Sequence, residues 1–395
     1  MYSLQGVIQH YSWGGNTFLP ALLNQNNIEG KPFAEYWLGV HAGGPGIVHL
    51  GEGGVTHLIS LITSDKHKHL GKETLQQFNG LPFLLKILDV KDMLSIQVHP
   101  NKERAVQGFK DEVQRGVDIE APYRNYKDQN HKPEVMVALS EFWLLHGFAA
   151  DIEERLKRFS FLHEFLPHFK AGGIKGLYEN MLTLPQEKVN DILSGHAKKI
   201  IPLYNAKQLE KDNPDFWAAR AMLNLCADGQ YDKGIFSIYL MNILHLQTGE
   251  GIFQGPGLIH AYLEGQNVEL MANSDNVLRA GLTNKYIDIP ELLDNTSFVV
   301  TNPEIIPASL NKQSQQYPCD TSDFLIQRIN LEKGEEMQMQ LGGPTIALQI
   351  RGEAEWIGYI EMVANGLHSF FIDPFEPIAI KAKSDTEVYI ASVPV

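Results

Sequence analysis

Three short stretches of this sequence gather residue types that can bind a metal ion or move a proton. The first, MLSIQVHP, places Ser95, Gln97 and His99 at alternate positions. If it is a strand, those three share one face, and Leu94, Ile96 and Val98 share the other. Burying an amide and an imidazole side by side is costly unless each finds a partner, and one metal ion satisfies both. The plainer alternative is a hydrogen-bonded pair in a core. The second stretch, YKDQNHKPEVMVAL, packs Asp128, Asn130, His131, Lys132 and Glu134 together just before an apolar strand. As a generic charged loop it would simply be solvated. The third, HAYLEGQNVELMANSDNVLRAGLTNKY, supplies His260, Glu269, Asp275, Arg279 and Lys285. Its plainer alternative is a strand pair joined at Gly265 with paired surface charges.

Together these stretches offer imidazoles at His99 and His260, a carboxylate at Glu134 and an amide oxygen at Gln97. That nitrogen and oxygen set is acceptable to zinc, with iron or manganese as alternatives. With one carboxylate as the only anionic ligand, a divalent ion would keep net positive charge and act as a Lewis acid toward a sugar oxygen. His131, Lys132, Arg279 and Lys285, with Lys86 shortly upstream, concentrate positive charge around it, which predicts a small phosphorylated substrate.

The elements that must position these residues follow from texture. Of 395 residues, 44% are hydrophobic, more than one core usually organises, so two or three domains are expected. Residues 1–150 carry short apolar runs broken by Gly and Pro, the pattern of a β barrel or sandwich with few helices. From about Asp151 apolar residues recur at three- and four-residue intervals, as in DIEERLKRFSFLHEFLPHF and QEKVNDILSG, which predicts a helical insert over 151–234. Leu156, Phe159 and Phe161 are read as packing residues of that insert. β signals then resume, completing the first β unit over 235–304 and building a second over 305–395 without a comparable metal set.

The formal charge of −14 disfavours nucleic acid and anionic membrane as general partners. Cys226 and Cys319 stand in no disulfide or metal spacing, which fits a reducing compartment. No basic, apolar leader opens the sequence and no run approaches the roughly eighteen apolar residues of a spanning helix, so a soluble cytoplasmic protein is expected. No obligate protein partner is evident.

The same residues carry a resemblance. Tyr126, Asp128, Asn130, His131, Lys132, Pro133 and Glu134 reproduce the Y-x-D-x-N-H-K-P-E signature of type I phosphomannose isomerases. Residues 260–285 resemble the family's second signature, with Ser274, Asp275, Asn276, Arg279, Ala280 and Gly281 intact. Further similarity lies at Gln9, Tyr11, Trp13 and Gly14, in AEYWLGVH around Glu35, and in LPFLLKILDVKDMLSIQVHPNK, so that it spans residues 1 to about 290. Asn284 and Leu270 depart from the usual proline and cysteine of the family.

The resemblance implies a mainly β fold with a helical insert: two cupin-like jelly-roll β-barrels plus a small all-α domain. It implies one zinc ion per chain, held by Gln97, His99, Glu134 and His260, and Arg279 as the catalytic arginine. The implied reaction is the aldose-ketose interconversion of mannose 6-phosphate and fructose 6-phosphate through a cis-enediol. Glu269, Asp275, His131 and Lys132 are the candidate proton carriers, with Asp275 and Lys132 preferred. His131 either opens the sugar ring or orients Glu134. Lys285, Lys86 and Ser95 are assigned to the substrate. The rival readings are a non-catalytic sugar-phosphate sensor and a metal-dependent cupin oxygenase.

Overall fold

The strand Phe83–Val90 reads FLLKILDV and is buried along its whole length, because both of its faces are covered. Phe83, Leu85 and Ile87 point into a core shared with Ile326, Ile346, Phe371 and Tyr389 near the C-terminus. Leu88 and Val90 point the other way, against Met136, Phe142, Leu144 and Tyr262. A run buried on both faces needs apolar residues at every position, which is why this strand shows no simple alternation. Its two charged members, Lys86 and Asp89, must therefore find partners inside the protein.

The computed structural model describes residues 1–226, 229–309 and 313–395. The chain is mainly β, with sheets of ten, eight and four strands among the described residues. The ten-stranded sheet carries the three stretches singled out above. The eight-stranded sheet holds C-terminal strands, but Tyr2–Gln5, Ile47–His49 and Val55–His57 extend it along one side. Tyr2–Gln5 pairs with His368–Ile372 on one edge and Ile47–His49 on the other. No helix among the described residues is long and apolar enough to cross a membrane.

The helices expected beyond Asp151 are present as Ile152–Arg158, Leu166–Thr183, Gln186–Asn205, Pro214–Leu225 and Gly234–Leu240. In Gln186–Asn205 the buried residues are Val189, Leu193, Ala197 and Ile200, one stripe at helical spacing. The stripe joins Leu156, Trp217 and Phe236 in a core that also takes Ile96, Val98, Ala261 and Leu263 from the sheet, with Phe159 and Phe161 packed at its border. His196, Asp215 and Tyr239 tie three of these helices together, with Tyr239 donating to Asp215 at 2.7 Å.

The first 150 residues hold more helix than their β texture predicts: Phe18–Leu22, Leu58–Ser64, Lys66–Phe78 and Lys102–Gln114. The last begins where Asn101 accepts from the Arg104 amide at 2.8 Å, an N-cap directly after Pro100. That cap, with Glu103 in the first turn, is a start signal that the neighbouring β texture masks.

The plainer alternative of a strand pair joined at Gly265 does not hold. His260–Ala272 is one continuous strand with a bulge between Tyr262 and Glu264. The bulge has a consequence for the site. His260 and Glu269 lie an odd number of residues apart and would face opposite sides of a regular strand. The extra residue flips the parity, and the Tyr262 hydroxyl donates to Glu269 Oε1 at 2.7 Å on the inner side. Gly265 allows this at φ +130°, where a Cβ would lie 2.6 Å from the Glu141 carbonyl oxygen.

Gly265→Ala is therefore expected to destabilise the protein by about 2 kcal/mol or more, read from its denaturation midpoint. A second expectation concerns the helices. Burial alone would raise the Asp215 carboxyl, but hydrogen bonds from His196 and Tyr239 bring it below its ordinary value. A depressed carboxylate stabilises the fold above its unfolded pKa and loses that contribution as pH falls through the folded one. Asp215→Asn should lower the melting temperature at pH 7, with the difference from wild type shrinking toward pH 3.

Candidate metal centre and its surroundings

Gln97 sits at the centre of three neighbouring strands. It pairs with His260 on one side and with Arg279 on the other, and His260 in turn pairs with His146. Paired residues of antiparallel strands project to the same face, so His146, His260, Gln97 and Arg279 form a row across four strands. Ile96 and Val98, on the opposite face, are fully buried against the helices, which fixes the direction in which Gln97 points. Glu134 opens the strand Glu134–Ala138, opposite Met271.

His99 Nε2 lies 3.4 Å from Glu134 Oε1, and His260 Nε2 lies 3.2 Å from Glu134 Oε2. One ligand atom from each of His99, Glu134 and His260 falls within 4.8 Å of the others. The three residues are 0%, 1% and 1% exposed. His99 Nδ1 is 2.8 Å from the Asn276 carbonyl oxygen and His260 Nδ1 is 2.9 Å from that of Leu258. A carbonyl oxygen only accepts, so each Nδ1 carries its ring's proton and each Nε2 presents a lone pair. Among the described residues no donor reaches His99 Nε2 or Glu134 Oε2.

Two imidazole lone pairs and a carboxylate thus converge without a hydrogen between them, an arrangement that a cation satisfies and a water molecule does not. Gln97 Nε2 is 3.3 Å from His260 Nε2. Turning that amide about its last bond presents its oxygen instead and adds a fourth donor. Two nitrogens and two oxygens in a buried pocket suit zinc, so Gln97, His99, Glu134 and His260 fit the metal.

Charge supports the arrangement. Burial alone would raise the Glu134 carboxyl, but the Lys132 charge, 3.0 Å from Oε1, holds it well below the usual carboxylate range. Burial and the Lys132 charge bring His99 down to about 4, leaving its imidazole unprotonated at neutral pH.

Beside the pocket, Lys86 is buried between Glu269, at 3.1 Å, and Glu35, at 3.7 Å, with its ammonium 5.4 Å from the Trp37 ring centroid. Burial would lower its pKa, but the two carboxylates hold it above the ordinary lysine value. Burial raises the Glu269 carboxyl. Lys86 is thus neutralised within the protein. Arg279 and Lys285 differ: burial lowers both, the Arg279 charge lowers Lys285 further, and no carboxylate among the described residues offsets either. Ser95 is half-buried just before the strand Ile96–Val98.

The loop Lys127–Asn130 is stitched to the segment Ser274–Asn276. Asp128 accepts from the Ser274 hydroxyl at 2.9 Å and from the Asp275 amide at 2.8 Å. The Asn276 side chain accepts from the Lys127 amide and donates to the Asp128 and Asn130 carbonyls. Because the Asn276 carbonyl also holds His99, this side chain sets the position of a candidate ligand.

His131 does not orient Glu134. Its Nε2 lies 2.8 Å from Asp323, a buried carboxylate of the C-terminal segment. Asp275 meets His41 at 3.1 Å. His41, Tyr262 and Asp323 were not singled out from sequence, and Glu35 was named only within a stretch of similarity, with no role. A signal existed for Glu35, because a lysine inside FLLKILDV demands carboxylate partners; none existed for Asp323, which lies 192 positions from His131. Of the two departures, Leu270 packs in the shared core and Asn284 is exposed, so neither touches the ligand set.

Asn276→Ala is expected to weaken zinc binding about 10- to 100-fold, measured by competition with a chromophoric chelator, while the protein stays folded.

Comparison with known proteins agrees with this geometry. Residues 1–150 match the family model described as phosphomannose isomerase type I, catalytic domain. The mannose-6-phosphate isomerase of Escherichia coli (strain K12) is 34% identical over 391 residues, covering 96% of this chain and 97% of that protein. The human mannose-6-phosphate isomerase is 33% identical over 325 residues, covering 75% of this chain and 73% of the relative. The crystal structure of mannose 6-phosphate isomerase from Salmonella typhimurium bound to fructose 6-phosphate and zinc superposes with a TM-score of 0.87 at 30% identity, over 100% of both chains. A pocket of buried acceptors beside unpaired cations, in a chain alike to these proteins along nearly its whole length, places it among the type I phosphomannose isomerases.

Proposed function

We propose that this protein is a zinc-dependent isomerase that interconverts mannose 6-phosphate and fructose 6-phosphate. The observation that carries the reading is the convergence of His99, Glu134 and His260 within 4.8 Å, next to Gln97 and the uncompensated charges of Arg279 and Lys285. The full-length likeness to mannose-6-phosphate isomerases supports the substrate.

Zinc held by Gln97, His99, Glu134 and His260 supplies a Lewis acid for the sugar's carbonyl and adjacent hydroxyl oxygens. The remaining work falls to side chains. The proton on C2 of the open-chain aldose moves to C1 while the hydroxyl proton on O2 passes to O1, through a cis-enediol. Asp275 and Lys132 are the proposed carriers, with Glu269 and His131 the other candidates. Asp275 is half-exposed, and its carboxyl is brought below the ordinary range, against burial, by the His41 hydrogen bond and by Lys132 and Lys86. It is therefore ionised and able to accept a proton at neutral pH. Arg279 steadies the negative charge that develops on the enediol oxygens. Lys285 takes the phosphate. Lys86, compensated by two carboxylates, contributes to shape and field more than to phosphate affinity, and Ser95 completes the substrate side.

We further propose that residues 1–150 and 235–304 build a cupin-type jelly roll around the metal and that 151–234 form a small helical domain. Residues 305–395 build a second jelly roll to which the N-terminal strands contribute. The free thiols of Cys226 and Cys319 fit a cytoplasmic location.

A coupled assay of mannose 6-phosphate conversion tests the reading. Turnover should vanish on chelation and return with zinc. Arg279→Ala should lower kcat about 100-fold with unchanged zinc content. A folded, zinc-loaded protein that binds the sugar phosphate without turning it over would instead be a sensor.

A further inference from the structure

Asp275 is the member of its segment that is not tied to the neighbouring loop by its side chain. Ser274 and Asn276 bond to Asp128 and Asn130, and the Asp275 backbone amide bonds to Asp128. Its carboxylate is left to project from a rigid backbone, and its partner is His41, whose Nε2 lies 3.1 Å from Oδ2.

The geometry around His41 is specific. Its Nδ1 accepts the Gly43 backbone N–H at 3.1 Å, so the proton of the neutral ring sits on Nε2 and points at Asp275. The ring stands edge-on to Trp37, with centroids 4.8 Å apart at 81°. Trp37 is itself fixed, because its indole N–H donates to Glu35 and Lys86 lies over its face. His41 is 8% exposed, and the Gly43 backbone lies so close that a Cβ there would come within 3.3 Å of its Nδ1.

We infer that His41 is a positioning residue for the isomerisation: held by Gly43 and Trp37 in one tautomer, it clamps one oxygen of Asp275 and so aims the carboxylate at the substrate. The inference rests on the isomerase reading and deepens it. A carboxylate anchored through one oxygen can offer the other to a proton on carbon, without the side chain having to be ordered during the reaction. The cations beside Asp275 are Lys132 and Lys86, and among the described residues neither donates a hydrogen bond to it, while the Asp128 carboxylate on its other side can only repel it; orientation therefore falls to His41.

The shapes of two amide side chains separate this role from simple packing. The amide nitrogen of glutamine reaches the position of a histidine Nε2, whereas that of asparagine reaches only that of Nδ1. In the full-length, zinc-loaded protein, His41→Asn and His41→Leu should lower kcat about 10- to 100-fold with KM within about twofold, and His41→Gln should restore most of kcat. Equal losses in the Gln and Asn variants, an unchanged kcat in all three, or a change confined to KM would overturn the inference.

A second measurement stands if the variants do not fold. In wild-type protein carrying nitrogen-15 histidine, the resonance assigned to His41 should show a protonated Nε2 and a bare Nδ1 at neutral pH; the opposite tautomer overturns the clamp. Wild-type protein that is zinc-loaded but turns over no mannose 6-phosphate would remove the isomerase reading itself, an outcome distinct from an active wild type with indifferent variants.

Discussion

Much of this structure follows from one electrostatic requirement, that buried lone pairs aimed at each other be held there against their mutual repulsion. His99, His260 and Glu134 would relax apart unless their backs were fastened. The fastening is done by carbonyl oxygens on each Nδ1, by Lys132 on Glu134, and by strands whose register leaves the side chains little freedom. The pocket is thus prepared before any ligand arrives, and the binding energy of a cation need not be spent on arranging its donors.

Around it the protein uses two kinds of positive charge. Lys86 and Lys132 are compensated by carboxylates and shape the local field, whereas Arg279 and Lys285 have no carboxylate partner among the described residues and can attract an anion. Such a division lets an acidic chain of net charge −14 receive a phosphorylated molecule at one place.

The alternation of Gln97 and His99, the density of the segment from Asp128 to Glu134 and the helical stripes beyond Asp151 were legible because each is a short-range pattern with one physical cause. Phe83–Val90 was legible as a short apolar run, but its lysine was read as a substrate cation, and its burial between two carboxylates was not foreseen. Three features were not legible. The parity change at Gly265 depends on a bulge that no local composition announces. The partner of His131 comes from a segment remote in sequence. The helix at Lys102–Gln114 starts on a cap hidden among β signals. In each case the deciding interaction is either tertiary or a single hydrogen bond, below what periodicity can report.

The strand Tyr2–Gln5 lies between one strand from near the end of the chain and another from its first fifty residues. Its backbone amides and carbonyls cannot all be satisfied until the ribosome has released residues beyond 368. A segment made hundreds of residues earlier is therefore sealed late. Contacts of such sequence separation slow folding, and they expose an unpaired edge to other nascent chains in the meantime.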